Sequence, residues 1–252
     1  MINSAADRAA EPVPGDVIVF PGNPWPAGHQ ISAFEWTGRL EPGPQLWFDL
    51  HLRTADHPDP PPGPVDATDH DPAGWTSPDV WHNYHACTLS STHWGHYGFL
   101  VGTPDRPLTL GALDGREFLV DQLPDAPDNA GADQDDEDYD RAFGIYLLGH
   151  DTVAAHRIAF RQAPGGAFDV GWQGRIALSY HDLRAPFDRS FHARIHRVRL
   201  EQIAVPASVN PAQAPVELAR VLAEAGEFRY ADGLMRRVPA EQAVPDRRMS
   251  TC

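Results

Sequence analysis

Four histidines fall in two pairs, His82-Asn-Tyr-His85 and His93-Trp-Gly-His96, on either side of Ser90-Ser91-Thr92. Imidazole is the commonest metal ligand. If the chain turns at the serines, three of these side chains could hold a zinc ion and leave a fourth position for water, whose pKa the ion lowers toward about 7. Cys87 would be an optional soft ligand, and acid–base help would come from Asp69 or Asp71 beside His70. Two observations oppose this reading. Residues three apart on a strand face opposite sides, and the glutamate of a His-Glu-x-x-His motif is missing. The chain also has 13 histidines in all, which dilutes any cluster. Satisfied or surface histidines, with no cofactor, are therefore the expectation, and a zinc protein or metal-dependent hydrolase is the alternative.

Other chemistries are weaker. Ser90, Ser91 and Thr92 lie near His93, but no Gly-x-Ser-x-Gly elbow exposes a nucleophile. Cys87 is two residues from His85, which in a strand means only a shared face, and a buried apolar cysteine is expected. All 20 basic residues are arginine. Without lysine there is no Walker A loop, no Schiff base and no kinase-type ATP lysine. No Gly-x-Gly-x-x-Gly follows a strand. The run DQDDEDYD within 124–140 lacks the glycine and terminal glutamate of an EF-hand loop and reads as a solvated acidic segment.

Two sets of residues suit binding better than catalysis. His192, Arg194, His196, Arg197 and Arg199 form a basic strip that could meet an anion, or could simply offset neighbouring acidic loops. Trp94 and Tyr97, in the histidine stretch, suit a sugar-binding or protein-binding platform, and Trp25, Trp47 and Trp75 are further candidates for partial exposure. The net charge of −15 argues against nucleic acid as a partner, because phosphate binding needs cations. No apolar run reaches the length of a membrane span, and the first residues lack a basic start and an apolar core for export, so the expected location is cytoplasmic. Cys87 and Cys252 alone give no disulfide framework.

The elements that must position these groups are strands. Alternation puts Phe34, Trp36, Gly38 and Leu40 on one face, then Leu46, Phe48, Leu50 and Leu52 after a turn at Glu41-Pro-Gly-Pro. Asp16–Phe20, 107–110, 116–121, 143–148, 150–161 and 168–180 also read as strands. In the strand after Phe187 the apolar parity flips between Ile195 and Val198, which requires an extra residue near His196-Arg197, a β-bulge. The motif Phe34-x-Trp36-x-Gly38-Arg39-Leu40 returns as Val170-x-Trp172-x-Gly174-Arg175-Ile176, and the strand after each matches as Leu50-His-Leu-Arg53 and Phe191-His-Ala-Arg194.

The expected fold is mainly β, an antiparallel sandwich or barrel, built either as one unit or as two similar halves, 16–123 and 141–205, joined by the acidic loop. A loose arm precedes it (1–15), and 54–79 should be a long exposed excursion. One C-terminal helix is expected in 206–230, with Val216, Leu218, Val221, Leu222 and Ala225 as its stripe and Gly226 as its cap, then a tail over 231–252. The expected function is a non-enzymatic binding or interaction protein with an unidentified protein or small-molecule partner.

Overall fold

The computed structural model describes residues 15–58, 74–123 and 141–238. It is mainly β, and its core is an eight-stranded antiparallel barrel with additional strands. The strands are β1 (Val17–Val19), β2 (His29–Glu41), β3 (Gln45–Thr54), β4 (Thr88–Ser90), β5 (Phe99–Gly102), β6 (Glu117–Val120), β7 (Gly144–Tyr146), β8 (His150–Ala163), β9 (Ala167–Ala177), β10 (Arg189–Val198), β11 (Gln202–Ala204), β12 (Phe228–Ala231) and β13 (Leu234–Arg237). Two short helices are present among the described residues, α1 (Pro78–His82) and α2 (Ala214–Ala219). None of the described helices is long and apolar enough to cross a membrane.

The chain resolves into two compact units. The first comprises the described residues of Met1–Trp36, Asp49–Phe99 and Gly111–Arg199. Its strands run β2-β1-β10-β9-β8-β7-β4-β3, and β3 pairs back onto β2, so the sheet closes and leaves no edge in the ring. β6 adds to β8 from outside that order. The period-2 pattern gives the ring its apolar inner face: Phe168, Val170, Trp172 and Ile176 of β9 and Phe191, Ala193 and Ile195 of β10 are all buried, while Gln173, Arg175 and Arg194 are exposed. Four tryptophans, Trp25, Trp75, Trp81 and Trp172, are fully buried. Each contributes roughly 4–6 kcal/mol of gross burial energy before the entropy cost of ordering the chain.

The bulge sits where the parity flip requires it. The β9–β10 register shifts between Ile195 and Val198, and Arg197 adopts φ +56 with its amide donating to Asp169 Oδ1 at 2.9 Å. A second shift in β8, between Ala154 and Arg157, puts Ala155 at φ +52. The repeated glycines both lie on inward parity with close neighbours. A Cβ on Gly174 would sit 2.6 Å from the Phe191 ring, and one on Gly38 2.8 Å from Ile203.

The second unit comprises 37–48, 100–110 and the described residues of 200–252. Here β11 pairs in parallel with the end of β2, Ile203 opposite Gly38, while β13 lies antiparallel to both β11 and β12. Several expectations are corrected in this unit. Residues 107–110 are not a strand: Leu108 makes one bridge to Leu222, and a 3-10 turn follows at Leu110–Leu113. The C-terminal helix is only six residues long, Val216 is exposed, and Gly226 lies inside a 3-10 turn rather than capping the helix. Where the end of the helix region and the start of a tail at 231 were expected, Phe228 to Arg237 forms a hairpin with Phe228 and Met235 buried, which the local run of arginines disguised.

The excursion over 54–79 is also corrected at both described ends. His57 and Trp75 are buried, and α1 begins at Pro78. Asp69, His70, Asp71 and the acidic run within 124–140 lie outside the described residues.

Candidate ligand-binding site

The four histidines proposed as ligands are dealt to different neighbours. His82 sits on α1, its Nε2 3.2 Å from Pro58 O and its ring beside Trp25. His85 follows at φ +59 with its carbonyl accepting the His57 amide. His93 stacks on His51 with ring centres 4.6 Å apart. His96 Nδ1 lies 3.0 Å from the Arg141 carbonyl, to which it donates. Among the described residues no three His, Cys, Asp or Glu side chains are grouped so that they could hold a metal ion. The sequence spacing does not survive folding, because β4 carries the chain away between the two pairs. Cys87 is a free thiol, fully buried, and burial pushes its pKa up, so it presents no thiolate.

Ser90 does meet histidine: its Oγ is 3.1 Å from His93 Nδ1 and 3.0 Å from His51 Nδ1. It is completely buried and also accepts the Thr92 amide, so no substrate atom can reach it. Ser91 donates to the buried carboxylate of Asp49 at 3.0 Å and accepts from the Leu50 amide. These hydroxyls fasten the start of the 91–98 loop to β3. Their role is to hold what that loop presents.

What it presents is Trp94. The residue adopts φ +58, a conformation that a bulky side chain rarely takes, and Gly95 follows at φ +81. The indole is 39% exposed. It lies over Gly144 of β7: a Cβ there would stand 3.0 Å from Trp94 Cε3 and 2.6 Å from His96 Cδ2, so only glycine admits the loop this closely. The His150 ring meets Trp94 edge-on at 5.4 Å and Tyr146 at 5.0 Å, and Tyr84 continues the series to Tyr146 at 6.1 Å and Tyr180 at 6.5 Å. The hydroxyls of these three tyrosines and the imidazole of His150 make no hydrogen bond among the described residues. Of this series Trp94 and His150 line a cleft of about 290 Å³, together with His96, Arg141, Phe143 and Asp151 among others.

The electrostatics of this region favour holding over proton transfer. Asp151 is buried, and burial raises its pKa, but each oxygen already accepts a backbone amide, Leu148 at 3.1 Å and Tyr180 at 3.3 Å. It braces the β7–β8 turn against the segment after β9. Deeper in the barrel, Trp172 Nε1 donates to His156 Nδ1 at 3.2 Å, which leaves the proton of a neutral ring on Nε2, 3.8 Å from Asp121 Oδ2 and outside hydrogen-bond reach. Burial lowers His156 to about 3, helped by Arg141, and burial raises Asp121.

Tyr97 is exposed at 55% and lies on the same loop as Trp94. The predicted basic strip is divided by its own bulge. His192 and Arg194 face outward on β10, whereas Arg197 sits at the bulge and Arg199 beyond it donates to the Gly165 carbonyl. His196 instead turns to the buried Asp16, Nδ1 to Oδ1 2.7 Å. Of the tryptophans expected to be partly exposed, Trp25 and Trp75 are buried in an aromatic cluster with Phe20 and Trp81. Sequence reasoning missed Tyr84, Tyr146, His150 and Tyr180, which come from four segments and carry no shared local signal. The one legible cue was an aromatic followed by glycine, Trp94-Gly95. Compared with known proteins, the chain matches no family model, no curated relative and no solved structure.

Proposed function

We propose that this chain is a ligand-binding protein whose site is the cleft beside Trp94, and that the ligand is a small ring compound rich in hydroxyls, of the saccharide class. The observation that carries the reading is the exposed indole held at φ +58 at a cleft that His150 also lines, with Tyr146 against the His150 ring and no hydrogen bond on the His150 imidazole or the Tyr146 hydroxyl among the described residues. Aromatic faces take the apolar C–H face of a sugar, while phenol and imidazole tips exchange hydrogen bonds with its hydroxyls. At about 290 Å³ the cleft lies at the lower end of small-molecule sites, the size of one or two sugar rings.

The test is a titration of the protein with a panel of mono- and oligosaccharides, followed by tryptophan fluorescence and calorimetry. Saturable binding of at least one sugar, lost in Trp94→Ala and weakened in Tyr146→Phe with the melting temperature retained, supports the reading. If no member of the panel binds at about 10 mM, a concentration that detects even millimolar affinity, the saccharide assignment fails.

A further inference from the structure

The outer face of β8, β9 and β10 carries a second concavity, of about 460 Å³, that shares no lining residue with the cleft beside Trp94. The strand register builds it. Arg157 on β8 lies opposite Gln173 on β9, and Gln173 lies opposite His192 on β10. One step along on the same face, Arg194 lies opposite Gly171, and one step back Arg175 lies opposite Ser190. Same-face positions on one strand are about 6.8 Å apart, within the reach of an arginine side chain, and Arg157, Arg175 and Arg194 all line the concavity with Gln173 and His192. Gly171 keeps the floor low, since a Cβ there would meet nothing within 4 Å.

The charges are not spent internally. Arg157 faces Glu117 at 3.4 Å, but both side chains are largely exposed and the pair is screened. Arg175 and Arg194 are exposed and make no ion pair or side-chain hydrogen bond among the described residues. Two acids border the neighbouring concavity, Glu117, which faces Arg157, and Asp169, whose Oδ1 is tied by the Arg197 amide. Three like charges around one dish repel each other, and this occurs in a chain whose net charge is −15. An anion in the dish would turn that repulsion into attraction.

We infer that this dish is an anion site for a small phosphate-bearing molecule, either inorganic phosphate or a phosphomonoester, held by Arg157, Arg175 and Arg194 with His192 and Gln173 completing the polar wall. Guanidinium forks match the spaced oxygens of a phosphate group with paired, charge-assisted hydrogen bonds, which a single carboxylate could engage only in part. The overall acidity of the chain disfavours nucleic acid, whose many further phosphates would be repelled outside the dish. This inference stands apart from the saccharide reading, because the two sites use different residues.

The experiment is calorimetric titration of the full chain with inorganic phosphate and with glycerol phosphate at low ionic strength, repeated on Arg175→Gln, Arg194→Gln and the double variant, with Arg220→Gln as a control outside the dish. One saturable site is expected, weakened about tenfold or more by each single change and lost in the double variant, while the control binds as the parent does. Tighter binding of the ester than of phosphate assigns the source to a phosphorylated metabolite, and the reverse order assigns it to the free ion. Arg175 and Arg194 are exposed, so circular dichroism and melting should be unchanged in their variants. Absence of saturable binding to both probes, or binding that survives in the folded double variant, overturns the inference.

Discussion

His29 and His57 meet Nδ1 to Nδ1 at 3.1 Å, both buried and packed among Trp25 and Trp81. Their tautomers follow from the neighbours. Asn23 Oδ1 accepts the Trp25 amide, so Asn23 Nδ2 donates to His29 Nε2 at 2.7 Å. His29 must then carry its proton on Nδ1 and donate to His57, whose own proton lies on Nε2, buried and without a hydrogen-bond partner.

Both rings are therefore neutral, and burial, reinforced by the neighbouring imidazoles, pushes His29 down to about 3 and His57 to about 4. The same groups in an unfolded chain titrate near 6.5. Below that value the unfolded chain binds more protons than the folded one, so stability is complete above about pH 6.5 and is lost as the pH falls toward 4. His156 acts in the same direction, while Asp121 and Asp151, whose pKa values are raised, oppose it. Urea unfolding should show a loss on the order of 1 kcal/mol per histidine by pH 5, and His57→Gln should flatten the slope. A midpoint that does not move between pH 7 and 5 would sink this account.

Gly144→Ala should dislodge the Trp94 loop. The added methyl collides with His96 Nε2 and crowds the indole, and Gly98 is tied to the adjacent Ala142 carbonyl, so the loop cannot shift as a whole. The expected cost is about 1–3 kcal/mol, accompanied by altered Trp94 emission and weaker ligand binding. Unchanged stability with unchanged emission would show that the loop does not rest on Gly144.

At the β10 bulge, Arg197→Gly should be nearly neutral or slightly stabilising, whereas Arg197→Val should cost more than about 1 kcal/mol. The residue is held at φ +56, and the bond to Asp169 uses its backbone amide, which survives any substitution except proline. Equal stability of the glycine and valine variants in thermal melts would refute a positive φ as the controlling feature.

Much of the barrel was legible because a strand's two faces are written in alternate residues. The inward set of β9, the hairpin of β2 and β3 and the bulge at His196-Arg197 follow from parity alone. The C-terminal hairpin was not legible. Phe228 and Met235 are its only fully buried side chains, too few to mark alternation against the surrounding arginines. Of the residues that line the cleft, Trp94 and His96 are singled out in the sequence. Tyr84, Tyr146, His150 and Tyr180 are single residues with ordinary neighbours in sequence.

By itself the amino-acid order determined the strand-rich class, the inward parity and the chemistry that a chain without lysine cannot perform, because these depend on residue type and on near neighbours. Which distant residues share a surface was decided by the order and register of the strands. The turn through β4 separated His82 and His85 from His93 and His96, the strand order β4-β7-β8-β9 brought Tyr84, Tyr146 and Tyr180 together, and the β8–β9–β10 register gathered Arg157, Arg175 and Arg194. Such juxtapositions arise from hydrogen-bonded pairing between segments far apart in the chain, and no local spacing encodes them.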